Sequence, residues 1–313
     1  MSDAAATHSP LIVWIVSDGK PGHVNQSLGL AEALARATPT EIVTLPALPA
    51  WRAWLALLLN RDPGKLLPKP DLLVGTGHAT HLTLLAARRA RGGHTVVLMK
   101  PSLPRHWFDL CILPQHDGVA ADAHTLVTEG ALNRVRPTAL SQSTGDDVRH
   151  GLFLLGGASK HFTWDNGAVQ VQIKSILART PETHWTLTTS RRTPAEFLPE
   201  LPQYPNLTVA PRNATSPDWL PAQLAHSSTV WVTPDSASMV FEALTAGAEV
   251  GVFDLPVNPT SRVGHAIAHL ADTQRITRFV SWCAHGTLHP NLHPLAEADR
   301  CADWILNWLK KKN

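Results

Sequence analysis

Residues 230–256, VWVTPDSASMVFEALTAGAEVGVFDLP, predict a strand, a polar loop, a helix and a second strand. The apolar run at 230–232 stops at the polar loop, and Met239 and Leu244 then follow at helical spacing before Gly247 ends the pattern. The polar side chains therefore gather at a helix N-terminus. Unpaired N–H groups and the positive end of the helix dipole favour an anion such as phosphate there.

Four polar residues of this stretch are candidates for ligand binding. Asp235, Ser236 and Ser238 lie at the predicted helix start, where side chains of these types commonly cap the helix instead. Glu242 lies one turn beyond Ser238, on the side of the helix that also presents the cap. A carboxylate at that position can accept hydrogen bonds from a ribose.

Composition limits the class of protein. A chain of 313 residues is long enough for two domains, each with its own core. Charged residues make up 17% and hydrophobic residues 44%, which is typical of a globular protein and not of a disordered one. The net charge of +2 does not indicate a nucleic-acid binder, so no nucleic-acid partner is predicted.

Cysteine usage and hydropathy predict the compartment. Cys111, Cys283 and Cys301 are odd in number and far apart, which supports neither a disulfide framework nor a four-thiolate metal site. The start of the chain lacks the basic and apolar segments of a secretion signal, and no run approaches the ~18 uncharged apolar residues of a membrane span. We therefore expect a cytoplasmic protein.

The N-terminal half alternates strands and helices. Residues 11–16 form an apolar run typical of a strand buried on both faces, and the loop 17–23 (SDGKPGH) ends it. A helix follows with one face at Val24, Leu28, Ala31 and Leu34. Further strands are predicted at 42–45, 72–74 and 95–99, with a helix over 79–87. This alternation predicts a doubly wound α/β sheet.

The C-terminal half repeats the pattern. The polar segment 140–150 interrupts the alternation, so we predict an N-terminal Rossmann-like domain at 1–145 and a second at 146–294. In the second domain, strands are predicted at 152–155 and 186–188, with a helix over 166–178 between them. The segment 295–313 is predicted to form an amphipathic helix that packs across the domains.

Several loops of the second domain suit phosphate. Ligands of open α/β sheets bind beyond the carboxyl ends of the strands, where these loops lie. Gly156 and Gly157 allow close approach of the backbone, Lys160 adds a charge, and Arg191 with Arg192 provides planar forks. Each feature alone has an ordinary structural explanation as a turn or a solvated surface. Their agreement within one half of the chain predicts a phosphate-bearing ligand.

Other motifs are absent or incomplete. SDGKPGH lacks the P-loop spacing, and no G-x-G-x-x-G opens a helix, which argues against a nicotinamide or flavin cofactor. His265 and His269 lack the glutamate of zinc peptidases, and the Cys/His residues of 283–293 are irregularly spaced. No Asp-x-Asp pair is present to carry magnesium. We therefore predict neither cofactor nor metal, with cationic side chains and helix dipoles balancing the diphosphate charge.

Four motifs together carry a resemblance to a known family. They are SDGKPGHVNQSLGLAEAL at 17–34, GGASKHFTW at 156–164, TTSRRTP at 188–194 and VTPDSASMVFEALTAG at 232–247. They resemble the elongated-mitochondria family, which is named for a plant mitochondrial-fission protein and whose bacterial members are assigned as glycosyltransferases. More distantly, the layout is similar to GT-B glycosyltransferases such as the N-acetylglucosaminyltransferase of peptidoglycan synthesis.

The resemblance implies two Rossmann-like domains that face each other across a cleft, with a nucleotide-sugar donor on the C-terminal domain and the acceptor on the N-terminal domain. The implied donor-binding residues are Gly156, Gly157, Ser159, Lys160, Ser190, Arg191, Asp235, Ser236, Ser238 and Glu242. The acceptor-side residues are Gly19, Gly22, Asn25, Gly77 and His78. Asp18 and His23 are the candidates for a general base, although His23 could equally serve only to order its loop.

The implied reaction is displacement of a nucleoside diphosphate from an activated sugar by a hydroxyl acceptor, such as a lipid-linked or lipopolysaccharide-core sugar of the cell envelope. Two alternatives stay open. One is a non-catalytic adaptor related to the fission protein, since a fold can persist after its chemistry is lost. The other is a GT-B nucleotide-sugar epimerase, which uses a donor pocket without an acceptor sugar.

The segment 51–61, WRAWLALLLNR, is aromatic and apolar with flanking arginines. Packing in the core is the favoured interpretation of this segment. The alternative is peripheral contact with the cytoplasmic face of a membrane.

Overall fold

The computed structural model describes residues 9–137, 149–216 and 218–312, apart from the side chain of His116. The chain divides into two compact units. The first unit runs to Arg134 and also includes the segment from Glu297 onward, and the second unit is Val135–Ala296. The predicted boundary between residues 145 and 146 lies outside the described residues.

The first unit contains a parallel sheet of six strands. The strands are β1 (Leu11–Ser17), β2 (Thr40–Pro46), β3 (Leu72–Thr76), β4 (His94–Leu98), β5 (Leu110–Pro114) and β6 (Thr125–Thr128). Their spatial order is β2-β1-β3-β4-β5-β6, so the winding direction reverses between β1 and β3. Sheets of this kind bind ligands at such a switch point, beyond the carboxyl ends of the strands.

Strand β1 is apolar throughout because both of its faces are covered. Val13 and Ile15 pack with the side chains of one core cluster, whereas Trp14 and Val16 pack with those of another. Successive side chains of a strand point to opposite faces, which produces this alternation. The strand therefore lacks the apolar and polar alternation of a strand with one solvated face.

The first unit has helices α1 (Pro21–Ala37), α2 (Ala50–Leu58) and α3 (His81–Arg91) before the chain enters the second unit. Pro21 occupies the first turn of α1, where its fixed φ suits the helix. The buried face of α1 runs through Leu30 and Leu34. Val24 and Leu28, which were predicted for the same face, are only partly buried.

The second unit contains another six-stranded parallel sheet. Its strands are β7 (Arg149–Leu155), β8 (Thr183–Thr189), β9 (Leu207–Val209), β10 (Thr229–Val232), β11 (Glu249–Val252) and β12 (Thr277–Arg278). Their order is β12-β11-β10-β7-β8-β9, which places a switch point between β7 and β10. The doubly wound α/β prediction is therefore confirmed for both halves of the chain.

Helices of the second unit lie between these strands and after β12. They are α4 (Asn166–Arg179), α5 (Phe197–Glu200), α6 (Trp219–His226), α7 (Ala237–Ala246), α8 (Arg262–Asp272) and α9 (Phe279–His285). Asp165 caps α4 by accepting a hydrogen bond from the Ala168 N–H. Gly247 ends α7 in the left-handed conformation, with a φ of 95°, as its position in the sequence predicts.

The last helix, α10 (Glu297–Lys310), belongs to the first unit. Its buried face is Cys301, Ile305 and Leu309, which lie in one core cluster with Leu30 and Leu34 of α1. The sequence predicts a helix packed across the domains, and the described packing of α10 is the part of it that lies in the first unit. Amphipathicity identifies the buried face of a helix but not the unit that covers it.

The interpretation of segment 51–61 as a core element is wrong. Helix α2 buries Ala53 and Ala56, whereas Trp51 is 65% exposed and Leu58 is 70% exposed. The small residues face the protein and the large ones face outward, which is the reverse of the usual pattern for a surface helix.

Replacing Ile305 by alanine tests the assignment of α10 to the first core. Ile305 is fully buried, so Ile305→Ala should lower the free energy of unfolding by ~2–5 kcal/mol. Hydrogen exchange of the α1 amides should accelerate, because α1 packs on α10. Asp303→Ala, an exposed change on the same helix, is the matched control. Unchanged α1 exchange in Ile305→Ala would contradict the assignment.

Candidate functional site

Three loops of the second unit meet at the carboxyl ends of neighbouring strands. Residues 156–162 follow β7, residues 190–193 follow β8, and residues 233–235 follow β10. Since β10, β7 and β8 are adjacent in the sheet, these loops surround its switch point. The sequence motifs that suggested a phosphate ligand are thus brought together in space.

Hydrogen bonds connect the three loops. The Gly156 N–H donates to Thr233 Oγ1 at 2.7 Å, and the Gly157 N–H donates to Asp235 Oδ2 at 3.1 Å. The Ser190 hydroxyl donates to the Gly156 carbonyl at 2.8 Å and accepts from the Arg192 N–H at 3.1 Å. The loops therefore form one network whose geometry is held from all three strands.

Asp235 is the buried acid of this network. Its Oδ2 lies 2.7 Å from Nη2 of Arg192, and its side chain is closed off from solvent. Burial raises the pKa of the Asp235 carboxyl, while Thr233, the Arg192 guanidinium and the Gly157 N–H act in the opposite direction. The sequence assigns Asp235 to donor binding, and the structure shows that it positions both the glycine loop and Arg192.

Close packing explains the two glycines. A Cβ at Gly156 would overlap the Asp235 carboxylate, and a Cβ at Gly157 would overlap the backbone carbonyl of Arg192. The N–H groups of both glycines are directed at Thr233 and Asp235. Packing therefore requires glycine at both positions in the described structure. Contact of Gly156 and Gly157 with a diphosphate stays a prediction.

Positive charges surround His161 at the end of the first loop. Burial lowers the pKa of His161, and the charges of Lys160, Arg262 and Arg192 lower it further. Its Nδ1 lies 2.9 Å from the hydroxyl of Ser261, the residue that caps α8. We call Lys160, Arg192 and Arg262 the cationic cluster. Clustered cations near the start of a helix form a site suited to an anionic ligand.

A cavity of about 460 Å³ lies beside this network in the second unit. Its walls include Arg191, Pro194, Leu198, Pro211, Arg212 and Asn213, from helix α5 and the loops that follow β8 and β9. Proline and leucine supply flat apolar surface, and the guanidinium and amide groups supply hydrogen-bond donors. The size falls within the range of ~300–1,000 Å³ that is typical of small-molecule sites.

The remaining donor candidates lie around the same loops. The Ser159 hydroxyl accepts from the N–H groups of His161 and Phe162, so it closes the turn of its own loop. Ser236 is the N-cap residue of α7 but makes no side-chain capping bond within the described structure, and Ser238 is exposed. Glu242 is largely buried, at 8% exposure. Their roles in donor binding stay predictions.

In the first unit, Asp18 and His23 form a hydrogen-bonded pair. Asp18 Oδ2 lies 2.9 Å from His23 Nδ1, and Asp18 Oδ1 accepts from the Lys20 N–H at 3.1 Å. Burial alone would raise the pKa of Asp18, but the hydrogen bonds and positive charges of His23 and Lys20 outweigh it and hold that pKa below its usual value. The pair leaves Nε2 as the histidine nitrogen that can exchange a proton with a ligand.

The loop after β3 packs directly on this pair. Gly77 has a φ of 87°, and a Cβ there would overlap the His23 imidazole. One turn further along α1, the Ser27 hydroxyl lies 2.7 Å from the Thr76 hydroxyl. The two loops therefore lie together at the switch point between β1 and β3, which orients His23.

The other acceptor-side candidates are placed near the pair. Gly19 has a φ of 75°, which favours glycine, whereas a side chain at Gly22 would meet open space. Asn25 lies in the second turn of α1, and the exposed His78 starts the short 3-10 turn that follows Gly77. The structure brings these residues to one edge of the sheet, and their contact with an acceptor stays a prediction.

Sequence reasoning missed several residues of the site in the second unit. Thr233 and Thr193 connect the strand ends of the second unit, and Arg212 and Arg262 add charges to it. Arg192 pairs with Asp235, while Arg191, the residue predicted to bind the donor, lines the cavity. The order of the strands, which the sequence does not specify, determines these neighbours.

Within the described residues, no group of three or more His, Cys, Asp or Glu side chains is arranged to hold a metal ion. In the same part of the chain, none of the helices combines the length and the apolar composition needed to cross a bilayer.

The two sheets together define a protein of the GT-B class, as predicted. The chain is similar to MurG from Acinetobacter baumannii, at 15% identity and a TM-score of 0.53 over 96% of this chain and 100% of that one. It is also similar to the calicheamicin glycosyltransferase CalG4, at 13% identity and a TM-score of 0.54 over 97% of this chain and 99% of that one. A third similar structure is the UDP-GlcNAc 2-epimerase of Neisseria meningitidis bound to UDP-GlcNAc. The identity is 9% and the TM-score is 0.53, over 97% of this chain and 100% of that one.

Residues 21–309 match the sequence model of the mitochondrial fission ELM1 family, so the chain belongs to that family. The resemblance carried by the four motifs is thereby confirmed. A search of curated proteins gives no match. At identities of 9–15%, the structural similarities establish the fold.

The packing of the glycine loop can be tested by adding one methyl group. Gly157→Ala should destabilise the second unit by ~1–3 kcal/mol, because its Cβ would meet the backbone of Arg192 rather than a flexible side chain. Gly167→Ala is the matched control, since its Cβ would be no closer than 3.4 Å to the Asp165 carboxylate. Thermal unfolding is the measurement. Equal melting temperatures for Gly157→Ala and the wild type would contradict the packing argument.

Proposed function

We propose that this protein transfers a glycosyl group from a nucleoside-diphosphate sugar to a hydroxyl acceptor. The observation that carries the proposal is the occurrence, in one unit, of the cationic cluster around the loop after β7 and of the cavity formed by the segments after β8 and β9. A nucleoside diphosphate needs both features, because its diphosphate is anionic and its base is flat and largely apolar. The GT-B fold and membership of the ELM1 family agree with this proposal.

In the proposed complex, Lys160, Arg192 and Arg262 bind the diphosphate. Each guanidinium group can donate two parallel N–H hydrogen bonds to phosphate oxygens. The Lys160 ammonium adds a positive charge on a flexible side chain. The start of α7, with Ser236 and Ser238, supplies hydroxyl and backbone donors. Positive charge from side chains and helix dipole stabilises the leaving diphosphate, so the proposed reaction needs no metal.

The nucleoside occupies the cavity in this proposal. Pro194 and Pro211 provide apolar walls for the base, and Arg191 and Asn213 provide polar groups for its edge. Glu242, on the helix that follows β10, is proposed to accept hydrogen bonds from the ribose. Those interactions would select a nucleotide, whereas the cationic cluster would bind many phosphate compounds.

His23 is the proposed general base. Asp18 holds Nδ1 as a donor, so Nε2 carries the lone pair that accepts a proton. The acceptor hydroxyl gives its proton to Nε2 while its oxygen forms a bond to the anomeric carbon. The bond from that carbon to the diphosphate breaks, and the nucleoside diphosphate leaves with the electron pair. Asp18 then stabilises the imidazolium, because its lowered pKa keeps it ionised.

We propose that the acceptor is a glycan or a lipid-linked sugar of the cell envelope and that the protein works on the cytoplasmic side. Asn25 and His78 lie near His23 at the edge of the first sheet and are the proposed acceptor contacts.

Removing cations from the cluster should weaken donor binding. Lys160→Ala and Arg262→Ala should each raise the Kd for a nucleoside diphosphate about tenfold, since each removes a charge-assisted phosphate contact. Lys174→Ala, an exposed lysine on the outer side of α4, should leave the Kd unchanged. Calorimetry with a panel of nucleoside diphosphates, run in the presence of a chelator, is the measurement.

Two results of the donor experiments would change the account. If no nucleoside diphosphate or nucleotide sugar binds, the donor site does not exist as proposed. If a nucleotide sugar binds and is converted to its epimer without transfer to any acceptor, the protein is an epimerase and the transferase proposal fails.

His23→Ala should separate binding from chemistry. We expect an unchanged donor Kd and a kcat reduced by ~10²–10⁴-fold, because only the proton acceptor is lost. His106→Ala, an exposed histidine elsewhere in the first unit, is the control and should keep full turnover. Steady-state kinetics of sugar transfer provide the readout. A kcat equal to that of the wild type would remove His23 from the mechanism.

A further inference from the structure

Helix α2 of the first unit presents its large apolar side chains to the outside. Trp51, Trp54, Leu55, Leu58 and Leu59 are 65%, 44%, 39%, 70% and 54% exposed. We call these five residues the outer face of α2. The side that packs on α3 carries Ala53 and Ala56, which are buried. The packing of α2 on the first unit therefore uses its small residues and leaves the large apolar side chains in water, where their exposure is unfavourable.

The geometry of this face is that of one continuous strip. Trp51, Trp54, Leu55 and Leu58 have the i, i+3, i+4, i+7 spacing that aligns side chains along one side of a helix. Leu59 follows at the helix end, and Leu66, which is 97% exposed, extends the apolar segment. Isolated exposed leucines are ordinary on protein surfaces, but a strip that includes two tryptophans marks an interaction surface.

The exposed charged residues that lie next to the strip in sequence are mostly positive. Arg52, Arg61, Lys65 and Lys69 are all exposed. No acidic residue occurs between Glu41 and Asp62, and Asp62 lies 3.5 Å from Arg91 in an ion pair. The Arg52 guanidinium lies over the Trp51 ring, 5.0 Å from its centroid. An occupant of this surface must therefore be apolar at its centre and negatively charged around it.

We propose that the outer face of α2 docks on a membrane surface that contains anionic phospholipid. The tryptophans lie at the level of the headgroups, the leucines enter the acyl boundary, and the arginines and lysines contact the lipid phosphates. A second copy of the chain fits this face less well, because pairing two such faces would bring like charges together. The docking is a separate property from sugar transfer and holds whether or not the protein is a transferase.

Co-sedimentation with vesicles tests the docking. The full-length protein should bind vesicles of phosphatidylcholine mixed with phosphatidylglycerol, bind phosphatidylcholine vesicles more weakly, and be released by high salt. The double variant Trp51→Ser/Leu58→Ser should lower the partition coefficient by at least ~tenfold. Val171→Ser/Val280→Ser is the control, since these valines are 67% and 60% exposed in the second unit. It should bind as the wild type does.

A charge variant gives an independent result if the serine variant fails to fold. Arg52→Gln/Lys65→Gln should lower partition onto the anionic vesicles by ~tenfold or more and leave the weak binding to neutral vesicles unchanged. Three results would overturn the proposal: no sedimentation of the wild type with anionic vesicles, equal sedimentation of the folded double serine variant, or a dimer in light scattering that this variant dissociates. The last result would assign the face to a second copy of the chain.

Discussion

The buried carboxylate of Asp235 is the interaction on which the second unit depends. It accepts from the Gly157 N–H and pairs with Arg192, so one side chain joins the ends of three neighbouring strands. Burial of this charge is tolerated because both partners are present; removing one would leave an uncompensated charge in the interior. The same arrangement requires glycine at position 157 and positions Arg192, whose charge acts on His161 together with that of Lys160. Structural and ligand-binding roles therefore fall on the same few residues.

The first unit also uses a carboxylate to position a nitrogen-bearing side chain. Asp18 fixes His23, and Gly77 supplies the space in which the imidazole lies. In both units, a carboxylate just beyond the carboxyl end of a strand at the switch point positions a side chain that carries nitrogen donors. Asp18 follows β1 and positions His23, and Asp235 follows β10 and positions Arg192. The GT-B fold thus offers two polar sites on rigid sheets, and the chemistry assigned to each comes from its own side chains rather than from the fold.

The strands β1 and β7 could be predicted because burial on both faces leaves a continuous apolar run. The site could be predicted only as a set of loops, since the partner of Gly157 lies 78 residues away in sequence and is fixed by strand order. Strand β6, with the short sequence TLVT, carries too weak a pattern to recognise. Helix α2 was misinterpreted because apolarity alone does not distinguish a core helix from one that exposes its large side chains.

A crystal structure of the protein soaked with a nucleoside diphosphate tests the central claim most directly. The account predicts that the diphosphate contacts Lys160, Arg192 and Arg262, with the base in the cavity lined by Arg191 and Asn213. Density for the nucleotide at any other place, or an empty site at a saturating concentration, would contradict the account.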